Sequence, residues 1–148
     1  MDERNSYITK EDVMGTLGII KSYVISLVVF LAVDIFWLGV AAKPLYGTYL
    51  NHLMAPKVNW PAALIFYALF IVGLLIFVIS PAIEADSLMH ALIYGALFGF
   101  FTYMTYELTN YAVIRDWPLP IVLIDIAWGT ALGACVSFCT TLIMRHLK

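Results

Sequence analysis

The sequence predicts an all-α membrane protein, a four-helix transmembrane bundle with an N-terminal amphipathic segment and an interfacial helix between spans one and two. Three observations carry this expectation. The chain is 63% hydrophobic and only 12% charged, whereas soluble domains carry about 25% charged residues. With 148 residues and so few charges, a water-soluble fold could not cover that much apolar surface. Finally, four apolar segments are each about 20 residues or longer, the length that crosses the ~30 Å hydrocarbon core as a helix. The net charge of −2 offers no basic field, so no nucleic-acid partner is expected; the expected partner is the lipid bilayer.

Taken in order, residues 1–21 read as a polar and amphipathic extension and 22–148 as the four-span domain. Thr9-Lys10-Glu11-Asp12 has the character of a helix start, with a capping hydroxyl and acids in the first turn. Val13, Leu17 and Ile20 recur at helical spacing, and Gly15 and Gly18 leave room for a break before span one. The first apolar run follows a long polar stretch and contains Asp34 and Trp37, so it reads as a permanent span rather than a cleaved signal.

The spans are expected at about 22–42, 60–79, 88–114 and 118–143. Lys43-Pro44 is expected to end the first and Ser80-Pro81 the second. Between them, Leu45, Tyr46, Tyr49, Leu50, Leu53 and Met54 lie at helical spacing, which predicts a short interfacial helix with tyrosines near the headgroups. Asn59-Trp60-Pro61 and Asp116-Trp117-Pro118 open spans two and four alike, each offering a cap, an interfacial Trp and an early Pro. Cys135 and Cys139, one helical turn apart, read as small packing residues.

An even number of spans places both termini on one side. That side carries Arg4, Lys10, Lys21, Arg145 and Lys148, against Lys43, Lys57 and Arg115 opposite. The positive-inside rule then puts both termini in the cytoplasm of a cell that holds the protein in its inner membrane.

Acids decide where function is sought. Asp34, Glu107 and Asp125 lie in three different spans, each about 10–12 Å from the same membrane face at 1.5 Å per residue. An ionisable group inside lipid costs several kcal/mol or more by most estimates, which marks it as functional by default. Gly95 and Gly99, like Gly129 and Gly133, form GxxxG pairs suited to close helix approach. At 100° per residue Tyr106 and Asn110 fall within about 20° of Gly99, Glu107 about 80° away, and Asp125 about 40° from Gly129. If the glycine faces meet, all four turn inward. Span two supplies no charge and reads as a supporting wall.

Asp34-Ile35-Phe36-Trp37 and Asp125-Ile126-Ala127-Trp128 share the pattern Asp-Ile-x-Trp, placing a Trp one turn from each acid. Because the two spans run in opposite directions, the Trp residues leave the acid level in opposite senses. The candidate site is therefore Asp34, Glu107, Asp125, Asn110, Tyr106, Trp37 and Trp128, with His52, Lys57, Asn59 and Arg115 around the rim. No catalytic spacing such as G-x-S-x-G or H-E-x-x-H is present, and the residues specify no cofactor, metal set or catalytic group.

Four stretches also carry a family resemblance: Ala32 to Gly39, His52 to Ala63, Thr105 to Asn110 and Asp125 to Thr130. Together they resemble a family of small bacterial four-span membrane proteins classed as domain of unknown function family 2177. The resemblance covers nearly everything after Ser22 and implies a bacterial multi-pass membrane protein; it lends no activity. From the acids themselves three functions follow: proton- or cation-coupled transport of a small solute, helped by homo-oligomerisation because four spans enclose little volume; a lipid-modifying membrane enzyme; or a structural or assembly subunit whose acids hydrogen-bond the helices together.

Overall fold

A computed structural model describes residues 15–147, so the expected cap at Thr9 and the apolar position Val13 lie outside the described residues. Four helices follow one another: α1 (Thr16–Tyr49), α2 (Trp60–Glu84), α3 (Leu88–Val113) and α4 (Leu119–His146). Each is long and apolar enough to cross a membrane. The outward faces of all four expose large apolar side chains such as Val28, Phe36, Leu69, Phe77, Phe101 and Leu123, which is the surface a bilayer solvates.

Two boundaries differ from the sequence expectation for one shared reason. α1 runs through Lys43-Pro44 and α2 through Ser80-Pro81 without stopping. Each proline is preceded, at the same spacing, by a five-residue π-helical segment, Leu38–Ala42 and Leu75–Ile79. A proline in an α-helix lacks the donor to the carbonyl four residues back and clashes with it. The wider π turn shifts the bonding by one residue, as in the Ser80 N–H bond to the Leu75 carbonyl. The stretch predicted as a separate interfacial helix is therefore helical only from Lys43 to Tyr49, as the end of α1, and then unwinds through turns at 50–53. At the other end α1 starts at Thr16, directly after the non-helical Gly15, and runs on through Gly18.

Caps account for the remaining boundaries. The Asn59 side chain accepts the Ala62 N–H at 3.3 Å, so Asn59→Ala should cost about 1 kcal/mol, read from equilibrium unfolding in mixed detergent micelles. Asp116 does not repeat this role. It adopts φ 60° in the tight α3–α4 turn, and α4 begins after Pro118. The α2–α3 turn closes by a Schellman pattern: Asp86 N–H bonds to Ile83 and Ser87 N–H to Ala82, with Asp86 at φ 46°. Ser87 then caps α3 through the His90 N–H. An exposed Arg145–Asp86 pair at 3.3 Å ties the end of α4 to this turn and should contribute under about 1 kcal/mol.

Packing follows rows four residues apart. α1 buries Ser22, Ser26, Phe30 and Asp34. α3 buries Ala91, Gly95, Gly99 and Glu107. α4 buries Ile121, Asp125, Gly129, Gly133, Ser137 and Thr141 along one such row, with Leu132, Val136, Thr140 and Met144 beside it. Interlocking of i±4 ridges is a standard packing class, and with small residues it lets backbones touch. Here they do: a Cβ on Gly99 would overlap the Gly129 carbonyl, and one on Gly133 the Gly95 carbonyl. α2 completes the core with Phe70, Ile71, Leu74, Leu75, Val78, Ile79 and Ile83. Small residues occupy the rows toward the terminal end and acids toward the other, so the helices meet closely at one end and separate at the other. Cys135 and Cys139 are free and partly buried.

Candidate functional site

The separation of the helices leaves a cavity of about 440 Å³ at the end away from the termini. Its lining comes from all four helices and the α3–α4 turn: Tyr46 and Leu50, Phe66 and Phe70, Thr102, Tyr103, Tyr106 and Glu107, Trp117, and Asp125. Six of these ten are aromatic, two are carboxylates, and none is basic.

Glu107 is fully buried. The Trp117 indole N–H donates to its Oε2 at 2.9 Å, while Oε1 has no hydrogen-bond partner among the described residues. A buried carboxylate oxygen without a donor is costly, because its desolvation is not offset. Asp125 lines the same cavity within hydrogen-bonding reach of the Glu107 carboxyl and accepts the Tyr46 hydroxyl, 3.1 and 3.2 Å from its two oxygens. Two such acids in a low-dielectric space repel; unit charges ~4 Å apart interact by about 4 kcal/mol at an effective dielectric constant of 20. Among the described residues, their hydrogen-bond donors are the neutral Tyr46 hydroxyl and Trp117 indole. The site is electrostatically unsatisfied toward a positive charge.

Asp34 is placed differently. It is buried in α1 and accepts the Tyr67 hydroxyl of α2 at 3.1 Å, outside the cavity lining. The reason lies in the paired Asp-Ile-x-Trp motifs. Trp37 and Trp128 stack face to face, with centroids 4.3 Å apart and planes 8° from parallel. α1 and α4 run antiparallel, so one turn from that stack leads to Asp34 in one direction and to Asp125 in the other. The tryptophans form a partition between two acid levels. Tyr103, whose ring fills the space over Gly129, is the link, within electrostatic reach of both Asp34 and Asp125.

Of the sequence-predicted residues, the cavity gathers Glu107, Asp125 and Tyr106; Trp37 and Trp128 form its partition, and Asp34 lies beyond them. Asn110 is half-buried, one turn past Tyr106. Helical phase ranked Tyr106 ahead of Glu107, yet Tyr106 is 59% exposed and Glu107 0%, because packing follows the i+4 row from Gly99 through Tyr103 to Glu107. The rim residues His52, Lys57, Asn59 and Arg115 are exposed and lie outside this cavity's lining.

Sequence reasoning missed Tyr46, Tyr67, Tyr103, Trp117, Phe66 and Phe70 as site residues. Tyr46 and Trp117 had been assigned to the headgroup region by residue type, and α2 to a wall without polar function, although Tyr67 serves Asp34. The spacing of Tyr103 between Gly99 and Glu107 was the available signal. No group of three or more His, Cys, Asp and Glu among the described residues could hold a metal ion.

No curated protein and no solved structure matches the chain. A family model described as "Predicted membrane protein (DUF2177)" matches residues 19–142, covering every residue of the cavity, and the chain belongs to that family of integral membrane proteins.

Proposed function

We propose that the cavity binds a small organic cation and that the protein carries such solutes across the membrane. The observation behind this reading is the conjunction of Glu107, with an unpartnered buried oxygen, and Asp125 inside a wall of Tyr46, Phe66, Phe70, Tyr103, Tyr106 and Trp117. Aromatic faces attract an alkylammonium through their quadrupoles, about 2 kcal/mol or more when desolvated. Two carboxylates supply the net charge. A hard metal ion would want more oxygen ligands than the pair provides. An organic cation replaces its weak hydration with ring faces and needs few hydrogen bonds.

A positive charge between the carboxylates relieves their repulsion, whether it is a proton or the cation. The two compete for one place, which couples cation movement to proton movement in the opposite direction. Both termini lie in the cytoplasm in this scheme, so the cavity sits nearer the outer face of an inner membrane, and a homo-oligomer would supply the second access route that four spans alone lack.

Proteoliposomes test it. An acidic interior should drive uptake of radiolabelled tetraethylammonium, and Glu107→Gln should abolish that uptake. No cation flux, together with altered lipid composition on expression, would favour a lipid-modifying enzyme using the same acids instead.

A further inference from the structure

Resting on the cation reading above, we infer that the ligand is a single-tailed amphiphilic cation taken laterally from the bilayer, its head in the cavity against the Glu107–Asp125 pair and its tail in the cleft between α2 and α3. The roof of the cavity toward water is built from Tyr46 and Leu50 at the end of α1 and Trp117 in the α3–α4 turn. Tyr46 is bonded to Asp125 and Trp117 to Glu107, so the roof is held by the acids themselves. The side is different.

Phe70 meets Phe98 and Tyr103 with centroids 5.4 and 6.5 Å apart, which closes the cleft below. Thr102 on α3 lies beside that contact, and above it the lining passes to Phe66 on α2 and Tyr106 on α3; all three are exposed. Thr102 spends its hydroxyl on the Phe98 and Gly99 carbonyls of its own helix. Phe66 is six residues inside the start of α2 and Tyr106 seven residues from the end of α3; at 1.5 Å per residue these lie about 9 and 10 Å into the membrane. Their exposed neighbours Ile65, Leu69 and Phe101 are apolar. An opening at that depth, with that rim, faces acyl chains rather than water.

Head chemistry narrows the occupant. The lining has two acids and no Lys or Arg, so a phosphate beside the ammonium would be buried against carboxylates without a partner, a costly arrangement. That disfavours phospholipid headgroups and leaves a monocation with an apolar chain.

The full-length protein in phosphatidylglycerol nanodiscs, exposed to a decyltrimethylammonium carrying a diazirine at the chain end, tests this by mass-spectrometric mapping of the photolabel. The label should fall on the stretches around Ile65–Leu69 and Phe101–Thr105, and should drop about tenfold when tetramethylammonium is present at ten times its own Kd. A tetramethylammonium-sensitive label on Leu50, Trp117 or residues 51–59 would overturn lateral seating while leaving the cation site standing. Absence of any tetramethylammonium-sensitive label would remove the cation reading as well. Loss of the label on adding phosphatidylethanolamine would overturn the choice of a phosphate-free occupant.

Discussion

Glu107→Gln is expected to lower organic-cation affinity at least about 30-fold, since truncating one member of a buried charged contact typically costs 2–5 kcal/mol, while the protein unfolds no more easily than wild type. The second half carries the information. Gln has the volume of Glu, its amide oxygen can still accept the Trp117 N–H, and its amide N–H₂ can donate toward Asp125. What disappears is a charge on a fully buried residue with one oxygen unpartnered, and burying an ion costs several kcal/mol. Relieving that cost offsets whatever packing is disturbed. A purely structural acid predicts the reverse pattern, in which folding weakens and ligand binding is untouched. Binding by isothermal calorimetry and unfolding in mixed micelles, on the same preparations, separate the two.

The largest structural effect is expected at Gly99. A Cβ there would overlap the Gly129 carbonyl, and a backbone carbonyl in a packed helix has nowhere to go. Gly99→Ala should therefore destabilise by about 3 kcal/mol, the upper end of the range for overpacked sites. It should also cost ligand binding, because forcing α3 from α4 carries Tyr103 and Glu107 away from Asp125. Gly73→Ala is the control. Its added Cβ meets the tip of the Phe98 ring at 2.8 Å, and a ring end can tilt aside, so the change should stay near or below about 1 kcal/mol. Equal losses at the two positions, measured by unfolding in mixed micelles, would contradict the account of how α3 and α4 meet.

Much of the fold was legible because lipid imposes strong rules. Four apolar runs of sufficient length had to be helices, since a spanning segment must satisfy its own backbone, and the two GxxxG pairs pointed to the α3–α4 contact that forms. The prolines misled. Lys43-Pro44 and Ser80-Pro81 read as stops, yet a π turn before each absorbs the missing donor, and no local residue pattern announces that accommodation.

For the site, depth along the helices placed Glu107 and Asp125 at one level, and both line the same cavity. It could not separate Asp34 from them, because equal depth says nothing of what stands between. The stacking of Trp37 on Trp128 is a tertiary event that the shared Asp-Ile-x-Trp motif hinted at without fixing. Tyr46 and Trp117 were hidden for another reason. Both are residues that commonly sit at a membrane surface, and only the continuation of α1 and the tightness of the turn at Asp116 direct them onto the acids.

The central claim is that positive charge, read by Glu107, Asp125 and the aromatic wall together, selects the ligand. Choline and its uncharged isostere 3,3-dimethylbutan-1-ol present nearly the same shape to the cavity, so their binding to the wild-type protein can be compared directly by calorimetry in phosphatidylglycerol nanodiscs. A preference of at least about 100-fold for choline is predicted, since 2.7 kcal/mol corresponds to that ratio and the desolvated cation–π attraction alone approaches it. Equal affinity for the two, or binding of the alcohol alone, would contradict the account.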